Sequence, residues 1–211
     1  MATTRTALFT PRLRLVPLSD AHLDNEVELD SDPAVVRFIG NGKPRSREQV
    51  EELHTARIAR GAVVPGLCFW AGFLRSELTS GSNSSPRGEH AEPFVGIWIL
   101  TPPRDEGQDP TVCQAELGYR LMRKFWRQGL AKEGAEELLR YGFHDLGLGR
   151  IYAETMAVNA ASRATMLSVG MKFERRFRQE FEEMIPGSEE GEVEYSITSE
   201  EWKTLILKRG P

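Results

Sequence analysis

The sequence predicts a mixed α/β fold, on three observations. Residues 67–74 (Leu-Cys-Phe-Trp-Ala-Gly-Phe-Leu) and 94–100 (Phe-Val-Gly-Ile-Trp-Ile-Leu) are short apolar runs rich in aromatic and branched side chains, as buried strands are. Residues 131–146 place Ala131, Ala135, Leu138, Leu139, Phe143 and Leu146 on one helical stripe, leaving Lys132, Glu133, Glu136, Glu137 and Arg140 to solvent. The length of 211 residues, 40% hydrophobic and 27% charged, can bury a sizeable core and excludes global disorder. One domain over residues 1–211 is expected.

Taken in order, residues 9–18 alternate large apolar and other side chains and read as a first strand. Ser19-Asp-Ala-His offers a cap for a helix carrying Leu23, Val27 and Leu29, which stops before Pro33. Ser46-Arg-Glu-Gln starts a second helix with Val50, Leu53, Ala56 and Ile58 at helical spacing. Residues 67–74 and 94–100 are strands. Between them, the Ser-, Gly-, Asn- and Pro-rich stretch 76–93 buries too little apolar surface to offset its ordering entropy. It reads as a mobile hairpin tip or inserted loop, and 101–110 as a shorter one. Residues 114–122 and 151–158 are strands on either side of the 131–146 helix. A short helix over 160–169 ends at Gly170, a left-handed C-cap. Residues 173–177 and 193–197 are closing strands, and 202–208 a tail of one or two helical turns.

Composition narrows the function. A net charge of 27 − 31 = −4 argues against a nucleic-acid surface. No apolar run approaches the ~18 residues of a membrane span, and the first residues carry no secretory signal. Two cysteines, Cys68 and Cys113, without a pairing pattern fit a reducing, cytoplasmic setting. His22, His54, His90 and His144 lack ligand spacing, read as surface or helix-face residues, and imply no metal. Met166 and Met171 read as core. Glu180, Glu182, Glu183, Glu189, Glu190, Glu192 and Glu194 read as a solvated edge, or as an attraction for a cationic amine.

The stretch Arg127-Gln128-Gly129-Leu130-Ala131, between a strand and an amphipathic helix, has the makings of an anion site. Amides at a helix start lack intrahelical partners, the dipole favours negative charge, and Gly129 permits close backbone approach. The competing reading is a tight turn into a helix. No Gly-Lys-Ser/Thr supports a P-loop, and Gly147-Leu-Gly149 precedes a strand and lacks the third glycine of a dinucleotide fingerprint.

Asn159-Ala-Ala-Ser162, leading through a short helix to Gly170-Met-Lys-Phe173, completes a set. With Thr10-Pro-Arg-Leu-Arg-Leu15, Phe94-Val-Gly96, Glu116-Leu-Gly-Tyr119 and Val193-Glu-Tyr-Ser-Ile197, it strongly resembles the GNAT superfamily of N-acetyltransferases, in particular the RimJ/RimL-like branch. The match covers about residues 8–203, with 76–93 and 101–113 as additions. The resemblance implies a mostly antiparallel twisted sheet with splayed central strands flanked by helices, and acetyl-CoA bound in the cleft. Main-chain groups of Leu121, Met122 and Arg123 would meet the pantetheine amides. Backbone amides of Arg127, Gln128, Gly129, Leu130 and Ala131 would hold the pyrophosphate. Asn159 and Ser162 would contact the CoA arm near the sulfur. Trp126 departs from the superfamily's generic Gln/Arg and reads as packing beneath the loop. The basic cluster Arg120, Arg123, Lys124 and Arg127 suits CoA phosphates without invoking RNA.

The implied reaction moves an acetyl group from acetyl-CoA to a primary amine, a small molecule or protein N-terminus, by direct attack. An alkylammonium near pKa ~10 must lose its proton, so a base is required. Glu116, on the strand entering the CoA loop, is the candidate; the competing reading is a surface or ion-paired strand glutamate. Ser162 is a candidate acid toward sulfur, or a CoA contact and helix cap; Tyr119 and Tyr152 are further candidates, or core or cleft-wall residues. The rival reading is a degenerate fold that binds acyl-CoA without turnover. Dimerisation is left open.

Overall fold

Thr10-Pro11-Arg12 turns the chain back on itself, so the expected first strand is two: β1 (Leu8–Phe9) and β2 (Leu13–Pro17), with Leu8 opposite Leu15. Pro11 cannot donate to a ladder and suits a tight turn, which the Thr10 N–H closes onto the Leu13 carbonyl at 2.9 Å. This computed structural model describes residues 7–75, 92–103, 113–178 and 185–209. Apart from Glu92 and Pro93, the 76–93 insert lies outside them, as do His90, Glu180, Glu182 and Glu183.

Three helices follow β2: α1 (Leu23–Ser31), α2 (Pro33–Val36) and α3 (Arg47–Val63). The first ends before Pro33 as expected. The unforeseen α2 restarts there, because Asp32 accepts the Ala34 N–H at 2.8 Å and Pro33 suits a first helical turn. Ser46 and Gln49 form a capping box for α3.

The remaining strands are β3 (Cys68–Leu74), β4 (Phe94–Thr101), β5 (Gln114–Leu121), β6 (Arg150–Met156), β7 (Lys172–Phe177) and β8 (Glu192–Thr198). The eight form one sheet, ordered β1-β2-β3-β4-β5-β6-β8-β7 and antiparallel except between β5 and β6. That parallel pair needs a crossover, which α4 (Leu130–Arg140) supplies. The helix ends earlier than its stripe suggests, widening into a π turn over Tyr141–Asp145. Helix α5 (Ala160–Ser168) joins β6 to β7 and ends before Gly170, at φ +94°. The tail is longer than expected: α6 (Ser199–Arg209) is capped by reciprocal Thr198 and Glu201 hydrogen bonds and pinned by Trp202, 6.0 Å from Phe143.

Alternation along the strands makes two cores. Cys68, Trp70, Trp98 and Leu100 pack with Ala135, Leu138, Leu139, Met166 and Met171 under α4–α6. Phe69, Ala71, Ile97 and Met122 pack with Leu18, Leu29 and Val35 under α1–α3. Each fully buried large side chain contributes about 1.5–3 kcal/mol. The sheet therefore carries one helical layer on each face.

Candidate active site

Strands β5 and β6 pair only through Gln114–Arg150, Ala115–Ile151 and Glu116–Tyr152. Beyond that rung β5 stays with β4 as far as Leu121, and β6 stays with β8 as far as Met156. The sheet thus divides into two halves, leaving a V-shaped slot between residues 117–121 and 153–156. The two faces of the sheet at the slot meet different helical layers.

At the mouth on the β5 side stands the loop over residues 127–131 that the sequence marks as a candidate anion site. Gly129, at φ +77°, is the residue before α4 and has no side chain to cap it. Among the described residues, no acceptor takes the amides of residues 127–132. Arg127 has φ +59°, the left-handed region that disfavours a Cβ. Such a conformation persists because the loop around it holds it. Arg127→Gly is expected to leave the melting temperature unchanged or slightly raised, since relief of strain offsets the added freedom of the unfolded chain. Arg127→Val, branched at Cβ, should lower it, and melting curves of both variants check this.

Trp126 does not pack beneath the loop. It is 41% exposed, and its indole N–H donates to the Leu121 carbonyl at 2.7 Å. The Met122 N–H already donates to Val95 at 2.8 Å. Of the main-chain groups expected to meet pantetheine, these two are partly committed, although a carbonyl keeps a second lone pair.

Across the slot, Asn159 caps α5: its carbonyl oxygen accepts the Ser162 N–H at 3.2 Å and its amide donates to Thr155 at 3.0 Å. Tyr119 reaches across from β5, its hydroxyl 3.2 Å from the Ser162 carbonyl and 3.4 Å from the Ser162 hydroxyl. Burial pushes the Tyr119 phenol up, only partly offset by hydrogen bonds from Ser162 and Thr165, so it stays protonated. The sequence offers a signal for this pairing. Tyr119 is an odd number of strand positions from Glu116 and so faces the opposite helical layer.

Glu116 is 7% exposed and stands on the last rung before the slot opens. It faces α3, where the Arg60 guanidinium approaches to 3.5 Å while also donating to the Pro102 carbonyl at 2.6 Å. Tyr152, buried, is its rung partner. Tyr119/Ser162 and Glu116 thus flank one slot from opposite faces.

Three sequence readings are corrected on the Glu116 face. Arg120 does not serve phosphates: it is buried, donating to Asp30 at 2.7 Å and Glu26 at 3.1 Å. Arg57 joins both carboxylates and Arg45 joins Asp30, making a network that sews α1 and α3 to β5. Burial alone would raise the Asp30 carboxyl, but Arg120, Arg57 and Arg45 hold it below the usual carboxylate range. His54 is 4% exposed and meets Glu26 at 2.5 Å, so it is no surface residue. Glu192 and Glu194 are buried, not solvated. Glu194 is depressed by Arg150 and Arg175 against its desolvation, whereas Glu192 has one oxygen without a partner and is pushed up by burial. Strand periodicity flagged neither, because Glu-x-Glu alternation also describes a wet edge. Among the described residues, no group of three or more His, Cys, Asp or Glu side chains is placed to hold a metal. No helix among them is long and apolar enough to cross a membrane.

Comparison with known proteins agrees with this geometry. Residues 12–172 match the family model described as an acetyltransferase (GNAT) domain. The chain is 40% identical over 197 residues to the FsC-acetyl coenzyme A-N(2)-transacetylase of Aspergillus fumigatus, covering 92% of this chain and 77% of that protein. In fold it resembles RimL, the ribosomal L7/L12 alpha-N-protein acetyltransferase, solved with coenzyme A, at a TM-score of 0.69 and 16% identity over 92% of this chain and 98% of that one. It also resembles the Vibrio cholerae spermidine N-acetyltransferase, solved with CoA and spermine, at 0.69 and 15% identity over 92% and 99%. The slot, the free amides before α4 and these matches lead to one conclusion: the chain belongs to the GNAT acetyltransferase family and is an acetyl-CoA-dependent N-acetyltransferase.

Proposed function

We propose that residues 1–211 form one catalytic unit in which a small-molecule amine enters from the α1–α3 side of the slot and acetyl-CoA from the α4–α5 side. The row of acceptor-free amides at residues 127–132, beside the slot, supports this most directly. Amides of Arg127, Gln128, Gly129, Leu130 and Ala131 hold the pyrophosphate, joined by the α4 dipole. The pantetheine runs along β5 past Leu121, Met122 and Arg123, opposite Asn159 and Ser162.

In the reaction, Glu116 takes a proton from the acceptor ammonium, directly or through a water. The freed nitrogen attacks the thioester carbonyl, forming the N–C bond as the C–S bond breaks. The leaving sulfur receives a proton from the Ser162 hydroxyl, which the Tyr119 phenol re-protonates. The acetylated nitrogen sheds its second proton to water, Tyr119 regains one from solvent and Glu116 releases its own, so one net proton leaves. Products are the acetylated amine and CoA.

The amine named for the 40%-identical fungal relative is an N(2) nitrogen, which favours a small-molecule acceptor over a protein N-terminus. By register, Glu116, Glu154 and Glu192 share the sheet face from which the amine enters, and support a cationic substrate. Cys68 and Cys113 are not joined in a disulfide, which supports a reducing, cytoplasmic setting.

Gly129→Glu places a carboxylate and a strained backbone at the pyrophosphate. Calorimetry with CoA is expected to show binding weakened more than about tenfold, while Gly129→Asn, which tolerates a left-handed conformation, stays within about threefold. Threefold or less for the Glu variant would overturn the loop assignment. Thiol release from acetyl-CoA with a panel of small N(2) amines, polyamines and peptide N-termini tests the acceptor.

A further inference from the structure

Glu133 is an odd residue to find in the first turn of the helix that faces a phosphate. A carboxylate there ordinarily folds back onto the free amides, or repels an incoming anion. The stripe pattern puts Glu133 in solvent, yet it is half-buried and fully engaged. One oxygen accepts from the Thr10 hydroxyl at 2.5 Å and from the Arg12 amide at 2.8 Å. The other accepts from the Arg12 Nε at 2.6 Å. The Arg12 Nη1 then donates to the Gln128 carbonyl at 2.8 Å, and its Nη2 stands 3.4 Å from where a Cβ on Gly129 would be. Thus the turn between β1 and β2 grips both the first turn of α4 and the loop before it.

We propose that Thr10, Arg12 and Glu133 form a clamp that positions the diphosphate-binding loop. The clamp acts in three ways. It draws the Glu133 carboxylate away from the amides of residues 127–132, leaving them for the ligand. It neutralises that carboxylate with Arg12, so the positive helix end meets the phosphates unopposed. It turns the Gln128 carbonyl inward to Arg12, which sends the neighbouring N–H groups outward. Arg12 is a positioning residue: its side chain stays 40% exposed, but its donors are directed to Glu133 and Gln128. Lysine, a point charge without the fork, cannot make both contacts.

This inference rests on the proposed diphosphate role of the loop, and calorimetry keeps the two apart. Binding of CoA, and of its 3′-phosphoadenosine 5′-diphosphate fragment, is measured for the wild type, Arg12→Ala, Arg12→Lys, Thr10→Val and Glu133→Gln, each with a melting curve. Arg12→Ala and Arg12→Lys are expected to weaken both ligands about tenfold in folded protein. In turnover, the acetyl-CoA KM should rise by that factor with kcat nearly unchanged. The Arg12→Ala/Glu133→Gln double variant should bind no worse than the weaker single variant, because both break one unit. Thr10→Val, close in shape, tests the clamp should the arginine variants fail to fold, and should weaken both ligands by a smaller factor. Affinities within twofold of wild type in the folded variants, or additive losses in the double variant, would overturn the clamp. Wild-type protein that binds neither ligand would instead overturn the diphosphate reading itself.

Discussion

Glu116→Gln is expected to lower kcat by about 10²–10⁴ at neutral pH while leaving acetyl-CoA affinity nearly unchanged. The substitution keeps the side chain's shape and removes only its capacity to take a proton. The rate should recover as pH rises toward the amine's own pKa of ~10, where free amine forms without help. A glutamate that only steadied Arg60 would behave otherwise. The contact is 3.5 Å long, and Arg60 keeps its shorter bond to the Pro102 carbonyl. Its loss would lower the melting temperature and leave kcat per folded molecule intact. Pre-steady-state and steady-state rates against pH, beside melting curves for both proteins, separate the two. A pH–rate profile that superimposes on wild type removes Glu116 from proton transfer.

The second large effect concerns stability. Asp30→Asn should destabilise the fold by about 3–5 kcal/mol at pH 7, because it leaves Arg120, Arg57 and Arg45 facing a neutral group inside the protein. For a chain of this size that corresponds to a melting temperature lower by roughly 10 °C. The pH dependence has a definite sign. Asp30 is held below its ordinary value in the folded state, so its contribution is present above the unfolded value of ~3.9 and disappears as pH falls through the folded one. The gap between wild type and Asp30→Asn should therefore be widest near neutral pH and close in acid, where the wild-type carboxyl is also neutral. Melting series from pH 7 down to pH 3 check this. An unchanging gap would mean that the charge on Asp30 contributes nothing and only its shape matters.

Much of the architecture was legible because it is written in local patterns. Strands β3 and β4 are apolar throughout since both their faces are covered, and α4 shows a stripe because only one of its faces is. The turn into α4 at Gly129 could be read because its backbone conformation restricts which residues stand there, whereas the cap of α5 is Asn159 and not Ser162. Where local signals conflict, the reading failed. Residues 9–18 alternate like one strand, but Pro11 divides them. The α6 helix was underestimated although Thr198-Ser-Glu-Glu201 spells a capping box, because Trp202 and Leu205 carry its packing onto the core and no apolar stripe marks it.

By itself the sequence determined the family and most of the order of strands and helices, and it offered candidates for a CoA loop and a proton acceptor. Only the tertiary structure decided which charges are spent inside the protein and which remain for the ligand. Arg120, Arg123, Lys124 and Arg127 look alike along the chain, yet Arg120 is sealed against Glu26 and Asp30, while Arg127 stands at the anion loop in a left-handed conformation. Glu133 reads as a solvated helix residue and is bound by a turn more than a hundred residues away. A charge's role depends on its partners and its exposure, and both are set by contacts between segments remote in sequence, which no local pattern encodes.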